Sequence, residues 1–114
     1  MCHVLIIEDE PLIAMNIQVM LEDEGATSFD FAVTEAEAVA AALAHTPQLI
    51  TSDVRLLEGT GPAAVASIHD QLGSIPVIFI SGTPQDCEPC NPPALVLAKP
   101  VQAHAVGAAF RSLM

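Results

Sequence analysis

Four short aliphatic runs, each ending abruptly on a polar or charged group, constrain this chain more than any other feature. His3-Val4-Leu5-Ile6-Ile7 stops at Glu8-Asp9-Glu10, and Gln48-Leu49-Ile50-Thr51-Ser52, set off by Pro47, stops at Asp53. Pro76-Val77-Ile78-Phe79-Ile80 stops at Ser81-Gly82-Thr83, and Ala94-Leu95-Val96-Leu97-Ala98 stops at Lys99-Pro100. Continuous apolar runs of this length read as strands covered on both faces, the habit of parallel sheets.

The intervening stretches have helical spacing. Leu12, Ile13, Ile17, Met20 and Leu21 share a stripe after Pro11, with Gly25 as the stop. The acids before Pro11 suit a helix start. Thr34 with Glu37 forms a capping box that begins a second helix, running to about His45. Pro62 lies just inside a third, with Val65, Ile68 and Leu72 on one face and Gly73 closing it. Val106, Phe110 and Leu113 mark a final helix. Ala26 to Phe31 reads as a weaker strand. Pro84, Pro89, Pro92 and Pro93 leave room for only a shortened, irregular helix before the last strand.

Strands alternating with helices imply parallel βαβ units with right-handed crossovers. The expected fold is therefore flavodoxin-like α/β, a three-layer α/β/α sandwich on a five-stranded parallel sheet of order 2-1-3-4-5. All 114 residues are assigned to a single domain.

Charge narrows the function. Fourteen Asp and Glu face three Lys and Arg, a net of −11. Nucleic acid binding needs basic footprints to release counterions, so that class is excluded, and a cation or a basic protein surface is the expected partner. No apolar run approaches the roughly 20 residues of a membrane span, and the first residues lack a signal-peptide pattern, so a cytoplasmic protein is expected. Cys2, Cys87 and Cys90 make no secreted disulfide framework. Cys87-Glu88-Pro89-Cys90 has the spacing of a redox or zinc half-site, but no second Cys pair accompanies it, and His45, His69 and His104 show no ligand spacing.

In a sheet of this plan, ligands sit at the carboxyl ends of the strands. That edge receives Glu8, Asp9, Asp53, Ser81 and Lys99, the only lysine in the chain. Converging carboxylates raise one another's pKa, and a divalent cation with hard oxygen ligands relieves the repulsion, which suits Mg²⁺.

These positions resemble the receiver domain of two-component response regulators over nearly the whole chain. Val4 to Glu10 is similar to the opening acidic motif, Asp53 falls at the phosphoacceptor position, Ser81-Gly82 at the Thr/Ser-Ala/Gly pair, and Lys99-Pro100 closes the set. The resemblance implies that Asp53 takes a phosphoryl group from a partner histidine. It further implies Mg²⁺ held by Asp9, Asp53 and the Arg55 backbone carbonyl, with Glu8 helping through water. Lys99 and the Ser81 hydroxyl would take the remaining phosphoryl oxygens. A sensor histidine kinase or phosphotransfer protein would dock near Ile13, Ala14 and Ile17. Such a chain is not a conventional enzyme; it promotes its own phosphorylation and dephosphorylation. Ending at Met114 without an output domain, it would be a stand-alone relay, sink or phosphorylation-dependent partner-binding switch.

Val96 stands where receivers usually carry Tyr or Phe, which removes the ring an aromatic rotamer switch would use. Phe79-Ile80-Ser81-Gly82 is loosely similar to a receiver subgroup linked to bacterial general stress signalling. Two other classes fit less well. An aspartyl phosphatase would want a second acid where this chain has Arg55. A flavodoxin-type redox module using Cys87 and Cys90 would need a phosphate-cradling loop where Glu8-Asp9-Glu10 repels anions.

Overall fold

A computed structural model describes residues 2–82 and 94–114. The aliphatic runs become strands β1 (His3–Ile7), β3 (Leu49–Ser52), β4 (Val77–Ser81) and β5 (Ala94–Ala98), and the weaker stretch supplies β2 (Ser28–Ala32). Four helices lie among the described residues: α1 (Pro11–Asp23), α2 (Glu35–Ala44), α3 (Gly61–Leu72) and α4 (Ala103–Leu113). All strand pairs are parallel and the sheet runs β2-β1-β3-β4-β5, the flavodoxin-like order expected. The irregular helix expected between β4 and β5, together with Thr83, Cys87 and Cys90, lies outside the described residues.

Two apolar layers sandwich the sheet, because alternate side chains of each strand point to opposite faces. Leu5, Ile7, Ile50, Val77 and Phe79 pack beneath α2 and α3. Val4, Ile6, Leu49, Ile78 and Ile80 pack beneath α1 and α4, where Phe110 closes the layer. Every residue of β1, β3 and β4 is buried, and each buried Leu, Ile or Phe contributes roughly 1.5–3 kcal/mol.

Helix starts follow local chemistry, with two departures from expectation. Thr34 Oγ1 accepts from Glu37 N (3.1 Å) as a capping residue should, but Glu37 Oε1 reaches one residue further back, to Val33 N (3.0 Å). The acids before Pro11 stand ahead of the first turn of α1, which itself has no acid, and Glu10, the capping residue, makes no side-chain cap bond. Glu8 and Asp9 are committed to the sheet edge.

Candidate functional site

The register of the sheet builds the site. Ile7 lies opposite Ser52, and the ladder continues as Asp53 N donates to Ile7 O (2.8 Å), so Asp53 emerges beside Glu8. Ser81 lies opposite Ala98, and Lys99 N donates to Ser81 O (2.9 Å), which ties the end of β5 to the end of β4. The long Lys99 side chain then spans back toward β3 and β1. Its ammonium donates to Asp53 Oδ2 at 3.0 Å and stands 3.1 Å from Glu8 Oε1. The Glu8 contact is an ion pair whose approach falls outside hydrogen-bond alignment, since Glu8 Oε1 has no hydrogen-bond partner.

The environment is dry. Relative side-chain exposure is 1% for Glu8, 12% for Asp53 and 17% for Lys99. Burial, then the Asp53 charge, push the Glu8 carboxyl up to about 7, and the Lys99 ammonium offsets only part of this. Mutual repulsion, the cause expected from the sequence, is thus second to loss of water. Burial pulls Lys99 down, but its contacts with Asp53 and Glu8 outweigh that and hold it above its ordinary 10.5.

Asp53 is oriented from several sides. Val54 N donates to Asp53 Oδ1 (2.7 Å), and Ser52 Oγ donates to the Asp53 carbonyl (2.8 Å). Gly61 N donates to Val54 O (2.8 Å), and a Cβ on Gly61 would collide with the Asp53 carbonyl and Ser52 Oγ. Gly61 is therefore a positioning residue, which the reading of the sequence did not single out. Its signal was the crowding of Gly59-Thr60-Gly61 just after the acid.

A carboxylate oxygen from each of Glu8, Asp9 and Asp53 lies within 4.8 Å of the others. Oxygen ligands of an octahedral Mg²⁺ are about 2.9 Å apart when adjacent and about 4.2 Å when opposite, so the set fits after a small contraction. Each carboxylate oxygen carries two lone pairs, which leaves Asp53 capacity beyond its bonds to Val54 and Lys99. Arg55 follows two residues later on an exposed loop bridged to Thr60, and Ser81 is buried at the end of β4.

The docking residues inferred from the sequence need correction. Ala14 and Ile17 are buried in the layer beneath α1, and Ile13 packs against it. The exposed apolar residues of that helix are Leu12, Met15 and Val19. Helical periodicity grouped Leu12 with Ile13, Ile17, Met20 and Leu21, but only the last four turn toward the layer, and Leu12 faces outward.

A flavodoxin-like sheet with a lysine-bridged acidic pocket at its carboxyl edge defines an aspartate-centred α/β domain ready to hold a cation. The chain belongs to the response regulator receiver domain family, which matches residues 4–90. It is 37% identical to the phyllosphere-induced regulator PhyR of Methylorubrum extorquens, over 93% of this chain and 41% of that protein. The solution structure of the PhyR receiver domain from Erythrobacter litoralis superposes with a TM-score of 0.87 at 31% identity, covering 98% of this chain and 88% of that one. PhyR of Bartonella quintana, an anti-anti-sigma factor, superposes with a TM-score of 0.80 at 37% identity, covering 96% and 45%. The chain thus spans about two fifths of the M. extorquens relative's length. Among the described residues no helix is long and apolar enough to cross a membrane.

Proposed function

We propose that this chain is a phosphoacceptor in two-component or phosphorelay signalling, taking a phosphoryl group from a histidine onto Asp53. The observation that carries the reading is the Lys99 ammonium, held 3.0 Å from Asp53 Oδ2 and 3.1 Å from Glu8 Oε1 at the strand ends. In the transfer, an Asp53 carboxylate oxygen bonds to phosphorus as the phosphorus–nitrogen bond to the donor imidazole breaks, and the imidazole leaves with the bonding pair. Val54 N–H keeps the acceptor carboxylate aimed through Oδ1. Lys99, paired with Oδ2 at rest, moves its contact to the incoming phosphoryl oxygens, and the Ser81 hydroxyl donates to another. Asp9, Asp53 and the Arg55 carbonyl, with Glu8 through water, would hold Mg²⁺, which would supply positive charge beside the transferring group. The protein promotes its own phosphorylation and dephosphorylation rather than turning over a separate substrate.

The histidine donor, a sensor kinase or phosphotransfer protein, docks on the exposed apolar residues Leu12, Met15 and Val19 of α1. A groove of about 330 Å³ lined by Pro11, Met15, Phe31 and Val33 runs beside that face, with Glu8 among its walls. Output follows as a relay, a sink or a partner-binding switch. The likeness to an anti-anti-sigma factor favours a downstream partner of the class such a factor acts on.

Incubation with acetyl phosphate and Mg²⁺, followed by mass spectrometry, tests the assignment. One phosphate on Asp53, absent in Asp53→Asn, is expected. An unmodified wild type, or the same added mass on another residue of the variant, would refute it.

A further inference from the structure

At the opposite end of the sheet lies a second cluster with ligand chemistry. Its distance from the acidic pocket is about 16 Å, taking five residues of β1 at about 3.3 Å each. His3 opens β1 and lies opposite Ser28 of β2. Two residues on, Asp30 projects to the same face as Ser28, because strand side chains alternate. That is the α2 face, and His45 caps the carboxyl end of α2 there. The His3 ring is buried, with Nδ1 2.7 Å from Ser28 Oγ and Nε2 3.0 Å from Asp30 Oδ2. The His45 ring stacks on it, with centroids 3.6 Å apart and planes 16° apart. One donor atom from each of His3, Asp30 and His45 lies within 4.8 Å of the others.

We infer that His3, Asp30 and His45 form a binding site for a divalent transition metal ion of the zinc type, with water completing the shell. Two imidazoles and a carboxylate are the donor set that Zn²⁺ takes in three-ligand sites. Ligands of a tetrahedral Zn²⁺ sit about 3.3 Å apart, close to the 3.0 Å already separating His3 Nε2 from Asp30 Oδ2. Bound to that carboxylate, Nε2 carries the ring proton while Nδ1 accepts from Ser28. Metal binding needs the other tautomer, with Nε2 bare and Nδ1–H donating. The Ser28 hydroxyl serves both, since it donates or accepts by rotating. It then fills the outer-sphere role of orienting a ligating histidine.

The surroundings favour a cation. The carboxyl end of a helix carries partial negative charge, and α2 has no basic residue in its last turn to offset it. Asp30 and His45 are solvent-accessible, which provides an entry path, while buried His3 is the fixed anchor. His45 must turn out of the stack so that its nitrogen lone pair, which lies in the ring plane, faces the ion. Being exposed at the helix end, it is free to do so.

The test titrates ZnCl₂ calorimetrically into untagged protein in millimolar Mg²⁺, which engages the Glu8, Asp9 and Asp53 cluster. All samples carry Cys2→Ser, Cys87→Ser and Cys90→Ser, which removes the thiols as rival ligands. One ion per chain is expected, with His45→Ala and Asp30→Asn each weakening binding at least about tenfold. Nitrogen-15 histidine spectra should show His3 and His45 shifting while His69 and His104 stay put. Absence of binding, binding that survives both substitutions, or shifts confined to other histidines would overturn the site. None of these readouts involves phosphorylation, so this inference and the acceptor role of Asp53 fail separately.

Discussion

Removing the charge of Glu8 should flatten a pH dependence that otherwise costs the metal-free protein much of its stability. The Glu8 carboxyl rises from an ordinary 4.5 to about 7, first through burial and then through the Asp53 charge. The folded state therefore binds this proton more tightly than the unfolded chain does. The stability this contributes is full below about pH 4.5 and is lost as pH rises through about 7. At about 1.4 kcal/mol per pH unit, the loss amounts to about 3 kcal/mol by pH 8, a large share of a typical small-domain stability. Urea unfolding in EDTA at pH 5 and pH 8 measures it, with Glu8→Gln as the comparison. The variant matters because it separates this carboxyl from every other contribution to the pH dependence. Only the difference between the two profiles belongs to Glu8. Millimolar Mg²⁺ should restore the wild type at pH 8 and do little at pH 5, because proton and cation compete for the same cluster of carboxylates. Parallel profiles for wild type and Glu8→Gln would refute the reasoning.

Three further perturbations probe the same geometry. Lys99→Met strands Glu8 and Asp53 without their ammonium and should cost about 3 kcal/mol in metal-free protein at pH 8, read by urea unfolding, with acetyl phosphate labelling also reduced. Gly61→Ala drives a methyl group into the Asp53 carbonyl and should cost about 1–3 kcal/mol, slowing labelling by displacing the acceptor's backbone. Leu12→Glu and Met15→Glu should cut transfer from a phosphorylated histidine donor at least about tenfold while leaving acetyl phosphate labelling intact. Ile17→Glu should instead unfold the chain, because that side chain lies in the core.

The sheet and helices were legible along the chain because the signals for them are local. Burial on both faces of a parallel strand forces an unbroken aliphatic run, and the residue ending each run marks the strand's carboxyl edge. Glu8, Asp53, Ser81 and Lys99 could thus be placed at one rim from position alone, and β5 was located residue for residue. Element ends were less secure: β2 begins two residues later than expected, since it is an edge strand whose residues are mostly half-buried and mix polar with apolar side chains.

What packs over what was decided by the tertiary structure. The stripe of Leu12, Ile13, Ile17, Met20 and Leu21 was visible, but only the packing of α1 against the sheet and α4 turned Ile17 and Leu21 inward with Ala14 and left Leu12 outside beside Met15 and Val19. The titration of Glu8 depends on how much water its neighbours exclude, and the fit of Gly61 on a contact with the Asp53 carbonyl. His3 and His45 stand 42 positions apart, and no spacing rule joins them; strand pairing and the end of α2 do. Periodicity and propensity are summed along the chain, whereas desolvation and contact depend on distances between segments that meet only when the chain is folded.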